Sequence, residues 1–160
     1  MRIKEIKRMV VKIGSSLIVD NDKGVDVKFL DNIGEDILSL RKKGIETLIV
    51  SSGAIELGKI ELKKTKEKLN LSENQAASSI GQIKLINAWK EALKKFGLDA
   101  AQILITAEDT ENRKRFLNAR STIEELIHER YIPIINENDT VATSEIKYGD
   151  NDRLAARIAG

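Results

Sequence analysis

The chain has 160 residues, enough for one domain of ordinary size with a real core, and its 41% apolar and 32% charged residues exclude a disordered tract. Lys and Arg number 27 against 25 Asp and Glu, so a net charge of +2 offers no field to hold a nucleic-acid backbone, and 4% aromatics leave little stacking surface for single strands. No apolar run approaches the roughly 20 residues of a membrane span, the start MRIKEIKR is too charged for a signal peptide, and the lack of cysteine excludes disulfides and thiolate metal sites. Together these features point to a cytoplasmic protein with neither a nucleic-acid nor a membrane partner.

Met9–Ile13 reads as a first strand. Leu30, Ile33, Ile37 and Leu40 are spaced three and four apart, which predicts a helix over 31–40 that stops at Gly44 after Arg-Lys-Lys. Thr47–Val50 reads as a second strand. Ser72 offers an N-cap with Gln75 as capping-box partner, opening a helix whose inner face runs through Ile80, Ile83, Ile86, Trp89, Leu93 and Phe96 to Gly97. The Lys-rich stretch from Lys59 to Lys68 reads as a solvated helix or excursion. Gln102–Ile105 is a third strand, and a helix with Phe116, Ile123 and Ile127 inward follows it. His128 closes that helix as a partner of its C-terminal dipole, and Tyr131–Ile135 is the fourth strand. Leu154–Ile158 starts an amphipathic helix ending at Gly160.

Strands alternating with helices require crossover connections. The expected fold is α/β, with a mostly parallel sheet covered by helices on both faces. The strands are continuous apolar runs, as burial on both sides demands. Pro133 is an objection, because proline gives no ladder donor, and it is met if Pro133 lies near the strand's start.

In such a sheet ligands bind beyond the carboxyl ends of the strands. The first strand ends in Lys12-Ile-Gly14-Ser15-Ser16 and the second in Ser51-Ser52-Gly53-Ala54. The fourth ends in Asn136-Glu137-Asn138-Asp139, and a second cluster, Asp150, Asn151 and Asp152, follows Gly149. Small residues with exposed N–H and hydroxyl donors suit an anion. Dense carboxylates want a cation: a lysine, a metal ion or a ligand's amino group. Singly, each signal has a plainer reading. A Gly-Ser pair can be a tight turn, Lys12 can snorkel from its apolar strand, and acids near a glycine can cap a helix. Jointly, on one rim of one sheet, they mark a binding site. Neither G-x-G-x-x-G after the first strand nor a Walker loop is present.

Six motifs go further: Val10-Val-Lys-Ile-Gly-Ser-Ser16, Val50-Ser-Ser-Gly-Ala-Ile55, Ala77-Ser-Ser-Ile-Gly-Gln82, Arg115-Phe-Leu-Asn-Ala-Arg120, Ile135-Asn-Glu-Asn-Asp-Thr-Val-Ala-Thr143 and Gly149-Asp-Asn-Asp152. In this order they resemble the amino acid kinase family, and within it the members that phosphorylate the side-chain carboxylate of glutamate. The resemblance covers nearly the whole chain, and its two acid–amide motifs are more specific than the Lys-Gly start shared with kinases for acetylglutamate, aspartate, carbamate and UMP.

The resemblance implies a three-layer sandwich and an ATP-dependent, Mg²⁺-assisted transfer that makes γ-glutamyl phosphate, the first step of proline synthesis. Lys12 would contact the transferring phosphoryl group, with Gly14 and Ser15 as backbone donors to the cofactor. Ser52, with Gly53 behind it, Asn136, Asp139 and Asn151 would form the L-glutamate pocket. Asp152 would orient the catalytic lysines. The family also implies a homo-oligomer and proline as a possible feedback inhibitor. Its members continue well past this length with nucleotide-binding strands and a second lysine. Residues 1–160 are therefore expected to form the amino-terminal, glutamate-binding part, binding glutamate weakly and not turning over ATP alone. Two alternatives stand beside it: a sibling kinase for another carboxylate or carbamate, and a non-catalytic fragment that senses glutamate or proline or serves assembly.

Overall fold

The computed structural model describes residues 6–142 and 150–159. Gly149 and Gly160 lie outside the described residues. In chain order the elements are β1 (Arg8–Ile13), α1 (Ser15–Ile18), the short hairpin β2 (Val19–Asp20) and β3 (Gly24–Val25), α2 (Val27–Lys42), β4 (Glu46–Ser51), α3 (Ala54–Glu61), α4 (Leu71–Lys94), β5 (Asp99–Ile105), α5 (Ala107–Glu111), α6 (Arg113–His128), β6 (Tyr131–Glu137) and α7 (Asp150–Ala159).

The main sheet has the order β1-β4-β6-β5, with every neighbouring pair parallel. Side chains along a strand alternate between faces. In β4, Leu48 and Val50 join one core, with Ile123 of α6 and Leu154 of α7, while Ile49 joins the other, with Leu30, Leu85 and Trp89 of α2 and α4. Ile134 and Ile135 of β6 divide in the same way. Burial on both faces is why these strands are unbroken apolar runs. The expected parallel α/β sheet with helices on both sides is what forms.

Pro133 sits third in β6, a central strand and not merely near its start. It is tolerated because pairing with β4 begins at Ile134, one residue beyond it.

The start of α4 corrects the sequence expectation. Its N-cap is Asn70, whose side chain accepts from the backbone N–H of Glu73 at 2.9 Å, while Glu73 Oε2 accepts from the N–H of Asn70 at 2.9 Å. Ser72 instead donates to the Asn70 side chain, and Gln75 donates to the carbonyl of Ala142. Both tetrapeptides fit the capping pattern. The earlier one wins because a carboxylate is the stronger acceptor at a helix N-terminus. The N–H of Asn70 and then Lys64 hold the Glu73 carboxyl below its ordinary range.

The inner face of α4 also differs from expectation. Ile80 and Ile83 are exposed, at 38% and 64%, while Ala77, Ser78, Gly81, Gln82, Leu85 and Trp89 are buried. The cause is α3, which α4 meets backbone to backbone. A Cβ on Gly81 would lie 1.8 Å from the carbonyl oxygen of Ala54, and one on Gly58 would lie 1.8 Å from that of Ala77. Small residues line this crossing, and the isoleucines face outward.

Candidate functional site at the carboxyl ends of the strands

Gly53 follows β4 with φ 117°, in the left-handed region that favours glycine, and caps α3. This turn leaves Ser52 at the rim, its N–H donating to the carbonyl of Ile13 at 3.0 Å, so the ends of β4 and β1 are tied together. Below it the fully buried indole of Trp89 donates to Ser51 Oγ at 2.9 Å. Two residues beyond Asn136, the N–H of Asn138 donates to the carbonyl of Ile105, fixing the exit of β6 against β5.

Onto this frame α7 brings the second acid–amide cluster. Asn151 Nδ2 donates to Ser52 Oγ at 2.7 Å and to Asn136 Oδ1 at 3.0 Å. Asn136 Nδ2 donates to Gln82 Oε1 at 2.9 Å. Asp139, 7% exposed, accepts from Ser78 Oγ at 2.6 Å. Alongside, Lys12 Nζ lies 2.9 Å from Asp152 Oδ1. The structure thus gathers Ser52, Gly53, Asn136, Asp139 and Asn151 in one place and pairs Lys12 with Asp152 beside them. Ser15 begins α1. Among the described residues no hydrogen bond of its side chain joins it to this group.

Sequence reasoning assigned no role to four residues of the site: Ser51, Ser78, Gln82 and Trp89. Ser78 and Gln82 lie four apart, one helical turn, inside the Ala77–Gln82 motif, and that spacing of two polar residues among small ones was the available signal. A cavity of about 150 Å³ between α6 and α7, lined by Leu48, Ile105, Phe116, Ile123 and Ile158, shares no residue with the rim.

Residues 7–160 match the sequence profile of the Amino acid kinase family. The chain belongs to the amino acid kinase family. It is 54% identical to the glutamate 5-kinase of Bradyrhizobium diazoefficiens over 98% of its own length and 42% of that protein's. It is 54% identical to the glutamate 5-kinase of Brucella abortus and 53% to that of Brucella ovis, in both over 99% of this chain and 42% of the relative. The chain therefore spans about two fifths of the length of these relatives.

Gly14 lies beside Lys12: a Cβ on it would stand 3.7 Å from Lys12 Nζ, an ordinary contact distance. Among the described residues no three acidic or histidine side chains cluster as a metal cage. Among them also, no helix is long and apolar enough to cross a membrane.

Proposed function

We propose that this chain supplies the amino-acid-binding and phosphoryl-facing rim of a glutamate 5-kinase, which phosphorylates the side-chain carboxylate of L-glutamate. The observation that carries this reading is the double hydrogen bond of Asn151, which draws the two acid–amide clusters together over the ends of β4 and β6, next to Lys12. L-glutamate brings one ammonium and two carboxylates. Asp139, oriented by Ser78, suits the ammonium; the Ser52 hydroxyl, the Asn151 amide and the backbone at Gly53 suit the carboxylates.

ATP, bound with Mg²⁺ riding on its phosphates, would supply the phosphoryl group and ADP as leaving group. The glutamate side chain, with a pKa of roughly 4.3, is already ionised at neutral pH, so no general base is required. What remains is to bring an anion up to a polyanion. Lys12 offsets that repulsion, Asp152 holds its ammonium in place, and Gly14 and Ser15 offer backbone donors without a side chain at Gly14 to block the approach. The same reading carries a cytoplasmic location, a homo-oligomer and proline as a competing ligand that lacks the second carboxylate.

A chimera in which residues 1–160 replace the matching part of the Bradyrhizobium diazoefficiens relative tests the proposal. With ATP and Mg²⁺ it should release ADP in response to L-glutamate and not to aspartate, N-acetylglutamate or carbamate. ADP release driven by one of those others, or by none of the panel, would overturn it.

A further inference from the structure

Four side chains from four segments of the rim form one hydrogen-bonded chain whose direction is set from its middle. The backbone N–H of Glu137 donates to Asn136 Oδ1 at 2.9 Å, and of the two ends of an amide only the oxygen can accept it. Asn136 therefore turns Nδ2 toward α4, where it donates to Gln82 Oε1 at 2.9 Å. Asn136 Oδ1 takes a second hydrogen from Asn151 Nδ2 at 3.0 Å, and Asn151 Nδ2 also donates to Ser52 Oγ at 2.7 Å. Since Ser52 Oγ accepts from Asn151, its own hydroxyl proton is directed elsewhere.

Gln82 is the anchor of this chain. It is 9% exposed and Asn136 is 3% exposed, so neither amide can turn to water for a substitute. Among the described residues, the two atoms left over, Gln82 Nε2 and Asn151 Oδ1, are buried without a hydrogen-bond partner. The Glu137 N–H sets the polarity of the row, and the Gln82 oxygen supplies the acceptor that its Asn136 end requires. A methionine would fill the place of Gln82 but leave the buried Asn136 Nδ2 without an acceptor, so packing alone does not account for an amide there.

We infer that Gln82 is a positioning residue: by accepting from Asn136 it holds the buried amide in the polarity that the Glu137 N–H sets, keeps Asn151 turned to Ser52, and so leaves the Ser52 hydroxyl as a hydrogen-bond donor for a carboxylate oxygen. This rests on the reading of the rim as an amino acid pocket and adds a residue that sets its specificity. Without the Gln82 oxygen, Asn136 Nδ2 is buried with no acceptor, the Asn136 side chain is driven from its place, and Asn151 loses the Oδ1 that orients it. Asn151 would then turn Oδ1 toward Ser52, the serine would donate to it, and the pocket would lose that donor.

Two variants of the full 160-residue chain separate this from packing. Gln82→Met keeps length and volume and removes the acceptor; Gln82→Glu keeps an oxygen for Asn136. By titration calorimetry, Gln82→Met should weaken L-glutamate binding about tenfold or more, the size of one lost charge-assisted hydrogen bond, and Gln82→Glu should recover most of the loss. Equal losses in the two variants, or none in Gln82→Met, would overturn the inference. Side-chain amide NMR gives a readout that needs no ligand. The Asn136 and Asn151 NH₂ protons should exchange slowly in the parent and in Gln82→Glu, and fast in Gln82→Met. If the parent chain fails to bind L-glutamate, the functional reading fails while this exchange comparison still judges the positioning role, and equal protection in all three proteins would refute it.

Discussion

Lys12 and Asp152 meet at the protein surface, with 34% and 60% of their side chains exposed, whereas Asn136 and Asp139 on the same rim are only 3% and 7% exposed. The first pair gains modest Coulomb energy in high dielectric and is screened by salt. The second group sits in a row of hydrogen bonds from which water is excluded, where each unmade bond is costly. One side of the rim is thus a hydrogen-bonded network held in place by its own partners. The other is an exposed ammonium steadied by one carboxylate. On the reading proposed above, this division would let the amino acid be selected by hydrogen bonding while the phosphoryl group meets positive charge where negative charge accumulates.

The comparison can be broken most severely through the helix crossing that builds the buried side. Gly81→Val places a side chain where the carbonyl of Ala54 already lies, 1.8 Å from the new Cβ. The expected cost exceeds about 4 kcal/mol, enough to leave little folded protein. Urea unfolding and soluble yield check this, and a midpoint near the parent's would show that the close approach does not place α4.

Next in size is Asn136→Leu. It strands the Glu137 N–H, the Asn151 amide and the Gln82 oxygen at once, and should lower stability by about 2–4 kcal/mol in urea. A loss under half a kilocalorie would mean that the row is not a structural unit.

A corner outside the rim calibrates these local bonds by pH. The N–H of Thr106 and then its hydroxyl, donating to Asp109 Oδ2 at 2.8 and 2.7 Å, hold the Asp109 carboxyl below its ordinary range. A carboxyl held low in the folded state adds stability that is present above the unfolded value of about 3.9 and lost as pH falls through the folded value. Asp109→Asn should therefore lower the melting temperature at pH 6 and match the parent's more closely below about pH 3. A constant gap between the two proteins across that range would contradict the assignment.

The smallest effect belongs to the exposed side. Asp152→Ala should change stability by less than about 1 kcal/mol, and by less still in high salt. A larger, salt-independent loss would move this pair into the hydrogen-bonded part of the rim.

How far the sequence reveals this arrangement depends on the distance over which each feature is decided. β4 and β6 were legible because two-sided burial writes itself as Leu48-Ile-Val50 and Ile134-Ile135 within each strand. The polar turns after them were legible for the same reason. The insertion of β6 between β4 and β5 was not, since no local signal fixes strand order. Asn70 and Ser72 each carry a capping pattern, and the choice between them turned on a carboxylate against an amide. Ile80 and Ile83 suggested an inner face by hydrophobicity alone. The true inner face follows from Gly58 and Gly81, whose meaning depends on how two successive helices cross. Ser78 and Gln82 were missed because their partners, Asp139 and Asn136, lie more than fifty residues away at the end of β6. The short elements α1, α3, α5 and the β2–β3 hairpin carry too few residues to show a period.

The division between a hydrogen-bonded network and a surface charge is tested most directly by titrating L-glutamate into three forms of the chain: the parent, Lys12→Ala and Asp139→Ala. Binding should survive Lys12→Ala with an affinity close to the parent's and fall at least about tenfold in Asp139→Ala, where the ammonium loses its partner. The reverse pattern, with affinity lost in Lys12→Ala and kept in Asp139→Ala, would contradict it.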